Sequence, residues 1–542
     1  MSKETKQIMA MGDEAVAHGA IDAGVKGVFG YPGTPSTEVF ESAAIIIEGK
    51  NDGRIARWGA NEKVGYEMAL GASYAGNRSL VTMKHVGLNV AMDAFVNSGI
   101  TGVHGGLVIL VADDPGMHSS QNEQDSRYLA DFSLIPCLEP STPQETYDFT
   151  RQAYDLSEKL DLPILIRVVT RLAHARGPID KIPTIPPVEM GIPTDNPDKK
   201  WVLIPANARI QYQKLRDKMP TVVNEMSAYN KIEYKDKKIG IIAAGMGRAY
   251  LDQLCQTEKQ LTEHSRFDVC AYPIDNKALR KYATECDAVY VFEENYPYIE
   301  DQLIAFTNEA KIHGRRDDTV PMSGELDLLK LRKAFSLELP EAKSKPGINI
   351  PNRPPRLCKG CGHSDAFNNI QEAFKNIGVP DPRVFGDIGC YTLGTLPPYN
   401  SIQTTVEMGA SLGMALGAGH VGMDPVVGLI GDSTFFHSGL TSLVSLAECK
   451  GNVNFIVMDN RITAMTGQQK TVAINIIEDI GKAVGLKDDQ IHVLKPLPKN
   501  NEENVAQLEK IFSHKGPDLI IFRRECIEAY RKGLYKKLYP SE

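Results

Sequence analysis

The chain has 542 residues, 42% of them apolar, with 60 basic and 68 acidic side chains and a formal net charge of −8. Charge this balanced, with no clustered basic face, argues against a nucleic-acid partner. No apolar run approaches the roughly 18 residues of a membrane helix, and the polar start MSKETKQIMAMGDEAV is not a secretory signal. Nine cysteines in so long a chain do not make a disulfide scaffold, so a cytoplasmic, reducing location is expected. At about 150 residues per domain the length suits three or four domains. Two proline-rich stretches, 177–205 and 339–356, lack apolar periodicity and read as semi-rigid linkers. They predict domains at 1–180, 205–338 and 356–535.

In the first segment a short strand, VKGVFG, ends at Gly30 and is followed by Tyr31-Pro32-Gly33-Thr34-Pro35-Ser36. A Gly/Pro-rich turn with Ser36 as N-cap can present N–H groups to an anion at Gly33 and Thr34; many such turns only connect a strand to a helix. Trp58-Gly59-Ala60-Asn61-Glu62-Lys63 then opens a helix rich in small residues (Gly65, Ala69, Gly71, Ala72, Ala75, Gly76). Small residues permit close backbone packing, and Glu62 at the helix start is by itself an ordinary partner of the helix dipole. Strands over 79–83 and 107–112 end in polar loops, one at Lys84-His85 and one running from Asp113 through His118 to Arg127. Polar loops at strand ends are either solvated connections or ligand contacts. Lys84, His85, His118 and Arg127 are of the types that hold a carboxylate or move protons.

The middle segment carries the apolar strands KIGIIAA (238–244) and AVYVFEE (288–294). Gly245-Met246-Gly247 lacks the third glycine and the acid of a dinucleotide fingerprint. This segment reads as a small α/β unit without chemistry, its Cys255, Cys270 and Cys286 as inert thiols. The last segment opens on Cys358-Lys359-Gly360-Cys361-Gly362-His363. A second pair for zinc is not well spaced, Gly362 interrupts a haem-attachment motif, and the context is not thioredoxin-like.

The last segment's centre is 426–469. An apolar strand over 426–430 stops at Gly431-Asp432-Ser433, a helix is predicted over 440–447 with Leu440, Leu443, Val444 and Leu446 on one stripe, and a second strand over 454–458 stops at Asp459-Asn460. A strand–helix–strand crossover makes the strands parallel, so both polar endings fall at carboxyl ends, where open α/β sheets bind ligands. Gly431 lets a ligand approach, and the hard oxygens of Asp432 and Asn460 suit a Mg²⁺-bound diphosphate. They are equally what ordinary turn and cap residues offer.

The Gly-Asp…Asn spacing resembles the diphosphate motif of thiamine diphosphate enzymes, with Ser433 in place of its second glycine. The Thr466-Gly467-Gln468 tail resembles the branch that oxidises 2-oxo acids with ferredoxin. YPGTPS, NEK, TMKHVGLN, DDPGMHSSQNEQDSR and LIRVVTRLAH together resemble the large subunit of indolepyruvate ferredoxin oxidoreductase, across nearly all 542 residues. The resemblance implies two doubly wound, thiamine-binding parallel α/β sheets, a pyrimidine domain and a diphosphate domain, flanking the smaller α/β domain. It makes Glu62 the partner of the aminopyrimidine. It places Gly33, Thr34, Asn89, Gly431, Ser433 and Thr466 at the cofactor, and makes Asp432, Asn460 and the Ile462 carbonyl Mg²⁺ ligands. Lys84, His85, His118 and Arg127 would hold the substrate carboxylate and manage protons. Cys358, Cys361, Cys390 and Cys526 would hold a [4Fe–4S] cluster, although Lys359 stands where the family has proline; unliganded thiols are the rival reading.

The implied reaction is oxidation of an aryl pyruvate such as indolepyruvate to an acyl-CoA, by a homodimer of this chain with a smaller subunit. The electron acceptor would be ferredoxin or another iron–sulfur protein. The family's further ferredoxin-like domain, with C-x-x-C-x-x-C repeats, has no counterpart among these residues. Electrons are therefore expected to leave through another subunit. A non-oxidative decarboxylase or carboligase and a non-catalytic partner subunit are the alternatives.

Overall fold

Apolar runs become strands where helices cover both faces of a parallel sheet. In the computed structural model the amino-terminal part contributes Lys6–Met11 (β1), Gly27–Gly30 (β2), Ile55–Trp58 (β3), Ser79–Lys84 (β4), Leu107–Asp113 (β5), Cys137–Leu138 (β6), Ile164–Val169 (β7) and Arg176–Lys181 (β8). Between them run the helices Gly12–Asp22 (α1), Thr37–Lys50 (α2), Glu62–Tyr74 (α3), His85–Thr101 (α4), Ser126–Phe132 (α5), Pro143–Leu160 (α6) and Thr170–His174 (α7). The structure describes residues 6–191, 199–305, 311–340, 351, 354–379, 384–449, 451–472 and 474–539.

The middle part contributes Lys231–Glu233 (β9), Asp236–Ala244 (β10), His264–Val269 (β11), Ala271–Tyr272 (β12), Ala288–Phe292 (β13) and Ile312–His313 (β14). The first sheet has the order β12-β6-β7-β5-β4-β2-β3, all parallel except the β12 edge. The second, smaller sheet has the order β14-β13-β10-β11-β9, parallel apart from β9. One apolar cluster runs from Phe95 and Ile109 of the first part to Ile242, Phe267 and Val291 of the middle part. Both parts accordingly lie in one compact unit, Met1–Ser344.

The stretch 177–205 was expected to be linker, but it begins inside β8. Gly177 and Ile179 point inward in an exposed–buried alternation, and the strand pairs antiparallel with β1. The proline at 178 hid this edge strand, where a missing N–H is tolerated. Residues 192–198 of that stretch, and 341–350, 352 and 353 of the second, lie outside the described residues.

The second unit, Lys345–Glu542, is built on Val384–Gly386 (β15), Thr404–Thr405 (β16), Val426–Gly431 (β17), Val453–Asp459 (β18), Ile462–Thr463 (β19), Gln469–Lys470 (β20), Ile491–Leu494 (β21) and Asp518–Arg523 (β22). Its main sheet is wholly parallel, in the order β16-β15-β17-β18-β22-β21. The predicted crossover is present: β17 and β18 are parallel neighbours joined through the helix Leu440–Leu446. Its stripe is narrower than expected, with Leu443 and Leu446 buried but Val444 57% exposed. The protein is thus α/β with doubly wound parallel sheets.

Ionic side chains tie the first unit together. Arg167, in the middle of β7, is fully buried and donates to Asp113 (2.7 Å), Asn295 (2.6 Å) and Glu139. Truncating one member of a buried network leaves the others uncompensated. Arg167→Ala is expected to cost about 3–5 kcal/mol, read as a fall in the thermal midpoint of the full chain; a change under about 1 kcal/mol, the level of an exposed ion pair, would show that the network is not holding the unit.

Candidate active site

In the first unit the sequence-predicted residues converge at the carboxyl ends of β2, β4 and β5. Asn61 caps α3, its side chain accepting from the Val64 N–H (2.9 Å), which leaves Glu62 as the first helical residue, buried. A Cβ on Gly87 would come within 2.6 Å of the Glu62 carboxyl, so this carboxylate lies directly on the first turn of α4. Lys84, the last residue of β4, packs its stem over Gly33 and donates from Nζ to the Ser119 carbonyl (2.9 Å). Burial lowers the Lys84 amine to about 8, although Asp114 and Glu62 pull the other way.

Asp114 organises the loop over this site. It accepts from the Ser119 N–H (2.8 Å), Ser120 Oγ (2.7 Å) and Thr170 Oγ1 (2.7 Å). Burial pushes its carboxyl up, but these bonds and Lys84 hold it below the usual range. Ser119 Oγ in turn donates to the Thr34 carbonyl (3.0 Å), closing the loop on the Gly33–Thr34 turn. His85 is fully buried and its Nε2 meets the Asn122 carbonyl at 3.2 Å; a carbonyl can only accept, so Nε2 carries the proton and Nδ1, which has no partner, is left as an acceptor. His118 is half-exposed, 3.5 Å from Glu325, and Asn89 is exposed on α4.

Arg127 does not join this group. Its guanidinium is fully buried and donates to Asp125, Glu293 (2.7 Å), Tyr272 Oη (3.2 Å) and the carbonyls of Glu294 (2.9 Å) and Tyr296 (3.0 Å). Every donor of the side chain is committed, so the expected role of holding substrate is corrected to a structural one. The local sequence gave no sign of this, because Glu293 and Tyr296 are about 170 residues away.

In the second unit, Asp432 follows β17 and is buried, with Oδ2 lacking any partner. Burial first, and Asp459 beside it, push its carboxyl well above the usual range. Asn460 directly follows β18, its Oδ1 accepting from the Ile462 N–H (3.0 Å). A buried, unpartnered carboxylate oxygen near a second acid, with an amide oxygen at the end of the neighbouring strand, offers donors that suit a hard divalent ion. Ser433 Oγ bonds Thr463 Oγ1, and Thr466 Oγ1 donates to Gln469 (2.7 Å). At Gly431 a Cβ would sit 2.5 Å from the Tyr391 ring, so a residue without a side chain is needed for Tyr391 to pack there.

Cys358, Cys361, Cys390 and Cys526 all line one pocket of about 90 Å³, which Asn460 also lines. Burial and the neighbouring thiols raise Cys361 to about 11 and Cys390 to about 12. Among the described residues no three of these sulfurs lie within 4.8 Å of one another. Four thiolates on one zinc, at about 2.3 Å each, would stand roughly 3.8 Å apart; four cysteines on one pocket are also the donors that a polynuclear iron–sulfur group would take. Cys270 and Cys286 are buried with raised thiols, as expected of inert cysteines, whereas Cys255 is only partly covered.

The family model described as "Pyruvate flavodoxin/ferredoxin oxidoreductase, thiamine diP-bdg" matches residues 18–239, and that described as "Thiamine pyrophosphate enzyme, C-terminal TPP binding domain" matches 387–522. These matches fall on the two sheets just described, and define a thiamine diphosphate-dependent oxidoreductase of the 2-oxo acid class. Indolepyruvate oxidoreductase subunit IorA of Archaeoglobus fulgidus is 33% identical, over 96% of this chain and 87% of its own length. That of Pyrococcus horikoshii is 34% identical, over 99% and 88%. The chain belongs to this family, the alpha subunits of indolepyruvate oxidoreductase. A solved 2-oxoglutarate:ferredoxin oxidoreductase from Magnetococcus marinus aligns with a TM-score of 0.48 and 18% identity, over 57% of this chain and 62% of its own.

Because Asp432 Oδ2 is buried and unpartnered, Asp432→Asn is expected to leave the metal-free chain as stable as before or more so. The same change should weaken Mg²⁺-dependent thiamine diphosphate binding by about 100-fold, the upper range for lost support of a metal site. Calorimetric titration with and without Mg²⁺ checks this, and unchanged affinity would remove Asp432 from the metal.

Proposed function

We propose that this chain, with thiamine diphosphate and Mg²⁺, carries out the decarboxylating oxidation of aryl pyruvates such as indolepyruvate to acyl-CoA. Cys358, Cys361, Cys390 and Cys526 would hold a [4Fe–4S] cluster, which would supply one-electron chemistry toward an iron–sulfur acceptor, and the chain works as a homodimer with a smaller subunit. The observation that carries the reading is the pocket lined together by the four cysteines and Asn460. Relatives that are indolepyruvate oxidoreductase subunits support the substrate class and a partner subunit. Among the described residues no helix is long and apolar enough to cross a membrane, and the reading keeps the chain in the cytoplasm.

Thiamine diphosphate, when bound, supplies the electron sink for loss of CO₂. The chain's residues do the rest. Asp432, Asn460 and the Ile462 carbonyl would hold Mg²⁺, with Ser433 and Thr466 in the surrounding turn. Glu62 would hold a proton at the aminopyrimidine, its carboxyl lying against Gly87. Gly33, Thr34 and Asn89 border the cofactor. Lys84 Nζ holds the substrate carboxylate, His85 Nδ1 accepts a proton, and His118 does so at the loop rim.

The test is an anaerobic one. The full chain reconstituted with thiamine diphosphate and Mg²⁺ should carry about four irons, as expected of one such cluster, and bleach its visible absorbance when given indolepyruvate and CoA. Glu62→Gln should keep the iron and lose about 10²–10⁴ in rate, the usual worth of a proton-transfer group. Release of CO₂ without iron and without acceptor reduction would overturn the oxidative reading.

Lys84 gives a pH dependence. Its amine is charged below about 8 and neutral above, so its grip on a carboxylate fades as pH rises through that value. KM for the 2-oxo acid should rise about tenfold per pH unit above it in the wild type and stay level in Lys84→Arg, whose guanidinium keeps its charge throughout. A level wild-type KM from pH 7 to 9.5 would take Lys84 out of substrate binding.

A further inference from the structure

Asp13, Glu38 and His174 lie far apart in sequence and meet in the first unit, each offering a ligand atom within 4.8 Å of the other two. Their meeting is built into the backbone. Gly12 has no room for a Cβ, which would come within 2.2 Å of the Leu172 carbonyl, and its N–H donates to the Ala175 carbonyl (3.1 Å). The start of α1 is thereby pressed on the end of α7, which sets Asp13 beside His174, the last residue of α7. Glu38 comes from the first turn of α2.

Asp13 is 0% exposed, and neither of its oxygens has a hydrogen-bond partner. The adjacent Glu14 takes the local capping duty, accepting from the Met11 N–H at 2.7 Å; Asp13 is left without one. Glu38 Oε2 is likewise covered and unpartnered, and Glu38 Oε1 stands 4.0 Å from His174 Nε2. A carboxylate taken out of water with no donor and no cation is strongly disfavoured. The His174 side of the group is open, with 39% of that side chain exposed, so an ion has a way in.

We propose that Asp13, Glu38 and His174 form a binding site for a first-row divalent metal ion. Two carboxylates and one imidazole make a donor set of intermediate hardness, suited to Mn²⁺, Fe²⁺ or Zn²⁺ rather than to the thiol-preferring ions. The site completes the compensation of Asp13 and pins together the starts of α1 and α2 and the end of α7.

The experiment uses the full chain freed of thiamine diphosphate and treated with chelator. It is titrated with Mn²⁺, which the cysteines bind poorly, and free Mn²⁺ is counted by electron paramagnetic resonance. Asp432→Asn, which lacks the other candidate metal end, should take up one Mn²⁺ and the wild type at least one, with affinity at this site reduced at least tenfold in Asp13→Asn and in His174→Gln. Asp13→Asn keeps the side-chain shape and removes an uncompensated charge, so in EDTA it should melt at or above the wild type and gain nothing on adding Mn²⁺, whereas the wild type gains. Equal Mn²⁺ uptake in all four proteins, or none in any, overturns the site; the second result would mean that Asp13 and Glu38 share a proton instead.

Discussion

A carboxylate removed from water must be given a positive partner or be protonated, and the placement of such partners organises this protein. In the first unit the demand is met from within. Arg127 and Arg167, both fully buried, reach Asp113, Asp125, Glu139 and Glu293, and Arg315 stands over the same region, donating to the Glu293 carbonyl (3.0 Å). Tyr272, on the strand that the middle part lends to the first sheet, donates to Glu139 (2.5 Å). The two parts are therefore joined by charge as well as by apolar contact. At Asp432 and at Asp13 a buried carboxylate oxygen has neither a guanidinium nor a hydrogen-bond partner, and these are the two places proposed above for a cation.

This contrast separates scaffold from site. Arg127 closes a polar run that reads in sequence as a ligand-facing loop, yet it lies in α5 and the neighbourhood of its guanidinium is closed. Lys84, one strand away, is the reverse: its ammonium has one carbonyl and two nearby carboxylates, and burial has loosened its proton. A charge fully neutralised in place has nothing left for a substrate. One held short of neutralisation remains available.

What the sequence made legible follows from how local each signal is. Strand ends could be read because an apolar run stops at a polar residue, and so Lys84, Asp113, Asp432 and Asn460 were found. The cysteines were found through resemblance, since C-x-x-C, Gly-Cys and a distant Cys526 have no common periodicity. The long-range partners were not legible. Arg167 sits in a run that reads as a plain buried strand, and Glu139 and Asn295 reach it across 28 and 128 residues. Nor was the purpose of the glycines legible: Gly87 makes room for Glu62, Gly33 for Lys84 and Gly431 for Tyr391, and in each case a side chain of the protein itself fills the space. Asp13 gave no signal, because an acid in the first turn of a helix is commonplace.

Gly431 leads to a last point about the second unit. Tyr391 lies against Gly431 and Gly389 and donates to Asp387, whose other oxygen accepts from Ser411 (2.7 Å) and the Gly409 N–H (3.1 Å). Cys390 is the residue before Tyr391, and Asp432 the residue after Gly431. The thiol and the carboxylate are thus carried on two backbones locked together by one aromatic ring, close enough that Asp432 contributes to raising the Cys390 thiol. A change that loosened Tyr391 would disturb both at once, so the fold makes a common support, and not two independent ones, for the candidate metal end and the candidate redox end of this unit.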